Sequence, residues 1–349
     1  MSTADGLIMV GSWNAGPAVE RAAMQAARGT ALLDAVVEGI GLIEDDPEEM
    51  SVGYGGLPNE AGVVELDAAV MDGRTHKAGA VAGLKGVRHA AKVALNVLRR
   101  TDHALLVGEG ALAFARQCGF KEEDLLTAKA REAWLAWKAS LSTRDAWIGP
   151  DDETTGFGGA LWAGHKANPT PGGPPTPSTP AVPAPGRSGG APKVPFTFGT
   201  VHVSALNAPG GDLCSCTSTS GLSYKIPGRA GDTPVIGAGL YTDNAVGSAG
   251  CTGRGEATVH NCSAFHAVVL MESGMSATEA ALGALKRLVS RTIEARLLSA
   301  PGRPGFNVTL YALRKDGDAG AASVLPGYTY VRWRGGRREL LECPSVFPS

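Results

Sequence analysis

Thr200-Val201-His202-Val203-Ser204-Ala205-Leu206 follows directly on a proline-rich tract and alternates along its length with the period of a β-strand. Leu213 to Ser220 repeats the pattern after Ala208-Pro209-Gly210-Gly211-Asp212. Thr200 to Asn207 and Leu213 to Ser220 therefore read as a hairpin about a Pro/Gly turn. The residue at the head of this hairpin also carries chemistry. If the chain were cut before Thr200, that residue would hold both a hydroxyl nucleophile and its own general base, the freed α-amine. Taken alone, a β-branched residue at a strand start is ordinary strand composition, so the case rests on what lies around it.

Upstream, Asn168 to Pro195 holds 10 of the chain's 22 prolines, and the remainder is mostly Gly, Ser, Thr and Ala. Such a segment cannot bury enough apolar surface to offset the entropy of ordering, and it reads as a solvated, partly extended linker. Before it, Leu7 to Trp13 reads as a buried strand. Pro17 to Arg28 reads as a helix with proline in its first turn and Gly29 at its stop. Thr30 to Glu44 is a second helix, ended by Asp45-Asp46-Pro47. Val63 to Met71 and Ala78 to Leu84 are expected strands; His89 to Arg100, Glu109 to Cys118 and Leu126 to Leu141 are expected helices. After the hairpin come helices over Cys262 to Ser273 and Ala277 to Arg291, then a closing strand pair, Val308 to Arg314 with Tyr328 to Trp333. This order suggests sheets covered by helices on their outer faces, an α+β chain.

The 349 residues are enough for a large core, and length alone would suggest two domains. A net charge of −2 argues against a nucleic-acid or polyanion partner. No run approaches the roughly 18 apolar residues of a membrane span, and the start Met1 to Gly6 has no basic n-region, so a cytoplasmic protein is expected. The six cysteines lack metal-type CxxC spacing. Cys214 and Cys216, two apart on a strand, share one face and are expected to be buried thiols. With no Gly-x-x-x-x-Gly-Lys and no His-Glu-x-x-His, neither a nucleotide, a metal nor any other cofactor is expected.

The blocks flanking Thr200 have an order of their own. Ser12-Trp13-Asn14 follows the first strand, and Asp45-Asp46-Pro47 precedes Ser51-Val52-Gly53-Tyr54-Gly55-Gly56-Leu57-Pro58-Asn59. Glu65 to Gly73 and Val107 to Ala111 follow. Past the hairpin start come Thr217-Ser218-Thr219-Ser220-Gly221, Lys225-Ile226-Pro227-Gly228-Arg229-Ala230-Gly231-Asp232-Thr233-Pro234, Gly237 to Asn244, and Thr252-Gly253-Arg254-Gly255-Glu256. This series, from about residue 8 to 256, resembles the glycosylasparaginase family of N-terminal-nucleophile amidohydrolases, which is related to plant-type asparaginases and isoaspartyl peptidases. The resemblance implies a four-layer αββα sandwich with Thr200 opening a central strand. It also implies self-cleavage between Gly199 and Thr200, so that residues 1–199, with the 168–195 linker, and 200–349 become two chains of one domain. Homodimers of such processed protomers are expected.

The same resemblance assigns roles. Thr200 is the nucleophile; Ser51 and Thr219 would hydrogen-bond its amine and hydroxyl. Thr252 and Gly253 match oxyanion-hole positions. Arg229 would grip a substrate α-carboxylate with its planar fork and Asp232 the α-ammonium, leaving the side-chain amide facing Thr200. Gly255 would offer a backbone carbonyl to the substrate amine, and Trp13 would wall the pocket. The implied substrate is N4-substituted asparagine; alternatives are L-asparagine or β-aspartyl peptides on the same site, or an uncleaved relative that binds an asparagine-like metabolite without turnover. Each residue also has a plainer role open to it: Arg229 and Asp232 as a surface ion pair, Thr252 to Gly255 as an ordinary turn, Ser51 in loop hydrogen bonding, Trp13 in the core, His202 as packing, and Asp67 and Glu109 as structural carboxylates. Where the glycosylasparaginase branch commonly has His-Asp before the nucleophile, this chain has Phe198-Gly199, and Gly before Thr is the asparaginase and isoaspartyl-peptidase pattern.

Overall fold

A computed structural model describes residues 6–139, 199–209 and 211–348. The linker expected over Asn168 to Pro195, the C-terminal end of the helix expected over Leu126 to Leu141, and Gly210 of the hairpin turn lie outside the described residues. The fold is a mixed α+β arrangement built on two sheets. The larger has eight strands, in the order β14-β13-β1-β5-β6-β2-β3-β4, and the smaller has four, in the order β12-β11-β8-β7. The large sheet comprises β1 (Ile8–Ser12), β2 (Leu66–Asp72), β3 (Lys77–Leu84), β4 (Leu105–Val107), β5 (Val201–Leu206), β6 (Leu213–Thr219), β13 (Thr329–Arg334) and β14 (Arg337–Glu342). The small sheet comprises β7 (Leu240–Asp243), β8 (Gly247–Gly253), β11 (Val308–Arg314) and β12 (Ala319–Ser323). A separate two-stranded ribbon pairs β9 (Leu298–Ala300) with β10 (Arg303–Pro304).

The expected hairpin is β5 and β6, antiparallel with Val201 opposite Ser218 and Leu206 opposite Leu213. β5 lies between β1 and β6, in the middle of the larger sheet. Its alternation sorts side chains onto two buried faces. Val201, Val203 and Ala205 join the core under α1 (Gly16–Ala27), α2 (Leu32–Glu44) and α3 (Ala90–Arg100), together with Cys214 and Cys216 of β6. His202, Ser204 and Leu206 face the other way, toward the small sheet. That sheet is covered in turn by α7 (Ser263–Glu272) and α8 (Ala277–Arg291), whose alanines and leucines pack on Ala249, Cys251, Leu310 and Ala312. Ser276 caps α8 through a full capping box with Glu279, the Ser/Glu pattern that marks a helix start in sequence.

The two sheets meet through side chains that water would otherwise hold. His202 bonds Thr217 (2.7 Å) and Ser204 (2.9 Å); Ser204 bonds Ser248 (2.7 Å) across the gap, and Ser248 continues through Thr242 (2.8 Å) to Ser215 (2.7 Å). Burial pushes the His202 imidazole down to about pKa 3, so it is a neutral member of this network. The sheets approach so closely there that a Cβ on Gly250 would fall 2.1 Å from the His202 ring.

One expectation is corrected. Val308 to Arg314 and Tyr328 to Trp333 do not pair with each other. β11 pairs β8 and β12 in the small sheet, whereas β13 pairs β1 and β14 in the large one. Between them the chain crosses from one sheet to the other through β12, a strand of Ala and Gly with too little periodicity to be read in advance. The short helix α6 (Gly255–Asn261) and the strands β7 and β8, rich in Gly and small residues, were likewise not legible as elements.

Candidate active site

Thr200 sits at the entrance to β5, 8% exposed, with Gly199 still joined to it. Thr219, the last residue of β6, stands beside it because the β5–β6 register brings the start of one strand to the end of the other. The Thr200 hydroxyl donates to Thr219 Oγ1 (3.2 Å), and the Thr219 hydroxyl donates to the carbonyl oxygen of Gly199 (2.8 Å) while accepting from the Gly221 N–H (2.9 Å). The carbonyl of the Gly199–Thr200 peptide is thus already polarised by a hydroxyl donor. Ser51 reaches the same point from a loop after α2: its carbonyl takes the Ser220 N–H (2.8 Å), and a Cβ added to Gly199 would fall 1.6 Å from its Oγ. Glycine at 199 is a steric requirement of this packing, not merely a permissive choice.

Gly199, Thr200, Thr219, Arg229, Asp232 and Gly253 line one small cleft, as does Gly255. The loop carrying Arg229 and Asp232 is held by two buried carboxylates of the β2 region. Glu65 accepts the Gly228 N–H (3.0 Å), and Asp67 accepts the Gly83 N–H (2.8 Å) and the Gly231 N–H (3.4 Å). Those are structural roles, as expected for Asp67; Glu109 is exposed on the surface near Lys85.

Arg229 and Asp232 do not form a surface ion pair. Arg229 is mostly buried and bonds Glu256 with Nε (2.9 Å) and Nη2 (2.7 Å). Its Nη1 has no hydrogen-bond partner among the described residues and lies against Gly221 and Gly231. Burial works to raise the Glu256 pKa, but Arg229 and Arg254 outweigh it and hold the carboxyl below its ordinary range. Glu256 therefore fixes one edge of the guanidinium and leaves its end for an anion. Asp232 meets Arg229 over Gly255: a Cβ there would lie 2.8 Å from Asp232 Oδ1 and 3.1 Å from Arg229 Nη2. Asp232 is 6% exposed, and its Oδ2 has no hydrogen-bond partner among the described residues. Burial raises its carboxyl to about pKa 6, against the opposing pull of Thr258 and Arg229. A buried carboxylate oxygen without a donor, beside a guanidinium with an open end, is a site with one demand for a cation and one for an anion.

The remaining predicted residues are distributed around this centre. Gly253 ends β8 at φ +119°, a conformation reserved for glycine, and contributes to the cleft wall. The Thr252 hydroxyl shares a hydrogen bond with the buried Tyr311 hydroxyl (2.9 Å). The Gly255 carbonyl accepts the Thr258 hydroxyl (2.7 Å) at the start of α6. Trp13 opens the 3-10 turn Trp13–Ala15 after β1 and is half-buried; it does not line the cleft. Sequence reasoning gave no role to Glu49 and Glu256. Glu256 closes the Gly-Arg-Gly block and Glu49 falls in the gap between Pro47 and Ser51, and in sequence both are indistinguishable from solvated surface charge. Among the described residues no cluster of His, Cys, Asp and Glu has the form of a metal site.

The asparaginase family profile matches residues 9–297. A bacterial N(4)-(beta-N-acetylglucosaminyl)-L-asparaginase from Elizabethkingia miricola is 32% identical over 327 residues, 93% of this chain and 80% of the relative. The Mus musculus protein of the same name is 33% identical over 267 residues, 76% of this chain and 72% of that one. A putative N(4)-(beta-N-acetylglucosaminyl)-L-asparaginase of Drosophila sechellia is 38% identical over 258 residues, 73% of this chain but 62% of its own length. The chain belongs to the asparaginase family.

Proposed function

We propose that this protein is a self-processing amidohydrolase that cleaves the side-chain amide of N4-substituted asparagine, with Thr200 as its N-terminal nucleophile. The observation that carries the reading is the convergence on one cleft of the Gly199–Thr200 peptide, its Thr219 donor and the two charged groups Arg229 and Asp232. The relatives named for this activity support it. The two facing sheets and their outer helices support the four-layer αββα sandwich of N-terminal-nucleophile enzymes.

In the uncut chain the Thr200 nitrogen is an amide and no base. The Thr200 oxygen attacks the Gly199 carbonyl carbon, the C–N bond breaks as the nitrogen takes a proton, and an ester remains between Gly199 and Thr200 Oγ. Water hydrolyses that ester, releasing the Gly199 carboxylate and restoring the Thr200 hydroxyl beside the α-amine freed in the shift, whose reference pKa is about 7.7–8.0. Residues 1–199 and 200–349 are then two chains of one domain. In turnover the amine takes the Thr200 hydroxyl proton as Oγ attacks the substrate amide, and the leaving nitrogen departs with that proton. Water, giving a proton to the same amine, then hydrolyses the ester left on Oγ to release the acid and restore the Thr200 hydroxyl. Gly253 N–H and the Thr252 hydroxyl would hold the oxyanion, a role in which removal of one donor costs about 2.7–4 kcal/mol in a well-studied protease. Arg229 takes the substrate carboxylate on its open end and Asp232 Oδ2 the ammonium; Gly255 completes the wall in this reading. The six cysteines are all free thiols, which supports a reducing, cytoplasmic setting. A homodimer of processed protomers is the proposed assembly. L-Asparaginase or β-aspartyl peptidase activity is the second reading, favoured by glycine rather than Asp at 199.

A denaturing gel with N-terminal sequencing tests cleavage: the smaller fragment should begin Thr-Val-His-Val. Thr200→Ala should remain uncut and inactive, and Thr200→Ser should cleave and keep some activity. Comparing N4-glycosylated asparagine, asparagine and a β-aspartyl dipeptide separates the readings. A fully active single uncut chain overturns both.

A further inference from the structure

Glu49 is a buried carboxylate that the mechanism above leaves idle. It is 8% exposed; its Oε1 takes the Ser51 hydroxyl, and its Oε2 takes the Asn14 amide at 3.3 Å. Asn14 is braced in turn by the Ser12 hydroxyl (2.6 Å), which accepts the His202 N–H (3.0 Å). None of these neighbours carries positive charge. Among the described residues Glu49 makes no ion pair; Asp46, of like sign, acts on it, and burial holds its pKa above the ordinary carboxylate value. The neutral ring of His202 is turned away toward Thr217 and Ser204, and Thr219 and Ser220 from the end of β6 do not titrate. A carboxylate buried without a cation is costly unless one arrives later.

The place of Glu49 identifies that later cation. The position a Cβ on Gly199 would occupy is 1.6 Å from Ser51 Oγ and 3.3 Å from Glu49 Oε1. The Ser51 hydroxyl and the Glu49 carboxylate therefore stand against the residue bonded to the Thr200 nitrogen. While the peptide is intact that nitrogen is uncharged. Cleavage converts it to an amine, and its protonated form is a cation created beside this carboxylate.

We propose that Glu49, through the Ser51 hydroxyl, is the positioning residue that holds the freed Thr200 amine and stabilises the ammonium it becomes during catalysis. This rests on the reading of Thr200 as an N-terminal nucleophile. Ser51 donates its proton to Glu49, so the Ser51 oxygen is left to accept an N–H from the amine. The amine's own lone pair then faces the Thr200 hydroxyl. When Oγ bonds the substrate carbon, its proton moves to the amine; when the tetrahedral centre collapses, the same proton leaves with the substrate nitrogen. The ammonium exists only between those transfers, so negative charge nearby favours the transition state over the ground state.

The test is kcat at saturating substrate between about pH 5 and 9, using whichever of the three amides is turned over best, with self-cleavage followed on a denaturing gel. Glu49→Gln should cleave itself, lose roughly 10- to 100-fold in kcat, and have its acid limb at lower pH by about one pH unit, because removing the charge lowers the amine pKa. Ser51→Ala should lose kcat in the same direction, and adding Glu49→Gln to it should cost little more. If Glu49→Gln fails to fold, Glu49→Asp carries the test: it keeps the charge but withdraws it from Ser51, so kcat should fall while the limb holds its position. An unchanged kcat profile in Glu49→Gln, or unchanged kcat in Glu49→Asp, overturns the proposal. So does a folded Glu49→Gln chain that stays uncut, since the carboxylate would then act before the amine exists. Turnover by Thr200→Ala would instead bring down the nucleophile reading itself.

Discussion

Asp232 is held in the cleft with one carboxylate oxygen unpartnered, and burial lifts its pKa from 3.8 to about 6. For a carboxyl whose folded pKa lies above its unfolded value, the folded state keeps the proton longer. The cost to stability is absent below the unfolded pKa, grows as pH rises from 3.8 toward 6, and is fully present above that. The gap of about two pH units corresponds to about 3 kcal/mol, of which roughly 2 kcal/mol develops between about pH 4.5 and 8. Asn at 232 never ionises, so Asp232→Asn should gain stability relative to the parent by about 2 kcal/mol more at pH 8 than at pH 4.5. Comparing the two pH values removes the pH-independent cost of fitting an amide. Urea unfolding in a Thr200→Ala background keeps the protein a single chain for this measurement. The same substitution in the processable protein should lower kcat/KM by at least about 2 kcal/mol, since a substrate ammonium would lose its buried partner. A stability difference independent of pH, or an unaffected kcat/KM, would refute the assignment of Asp232 as a desolvated carboxylate kept for a cation.

Three further outcomes follow from particular contacts. Gly199→Ala places a Cβ 1.6 Å from Ser51 Oγ and should slow or block self-cleavage on a gel time course; wild-type cleavage would show that the segment leaves this position before reacting. Arg229→Lys should lower kcat/KM at least tenfold, about 1.4 kcal/mol, because an ammonium cannot satisfy Glu256 and a carboxylate with one planar fork; a near-normal value would remove Arg229 from the clamp. Gly250→Ala drives a methyl into the His202 ring and should cost about 1–3 kcal/mol in urea unfolding, with no cost expected only if the sheets can separate.

Much of the secondary structure was legible in the chain. The hairpin at Thr200, the helices α1 to α3, the helix Gly108–Gln117 and the capped α8 follow from periodicity and stop signals within a residue or two. Those signals are local, which is why β8 and β12, built of Gly, Ala and Ser, escaped them: short side chains packed between layers leave no apolar period to read. The candidate residues around Thr200 were legible for a different reason, their order matching a family, and Thr200, Thr219, Arg229, Asp232, Gly253 and Gly255 do line one cleft.

By itself the sequence determined that a strand opens at Thr200, that its neighbours alternate, and that a hydroxyl there follows a glycine. It did not determine what the alternating polar side chains face. His202 and Ser204 would meet water in a one-layered sheet; here they face a second sheet, His202 bonds Ser204, and Ser204 bonds Ser248 from 44 residues away. Nor could it show that Arg229 is edged by Glu256, that the last long strands belong to different sheets, or that Glu49 comes to rest against Gly199, 150 positions along the chain. Periodicity and capping are properties of neighbours along the backbone. The charge and steric environment of Thr200 is set by segments that meet only when both sheets have closed, so it belongs to the tertiary structure alone.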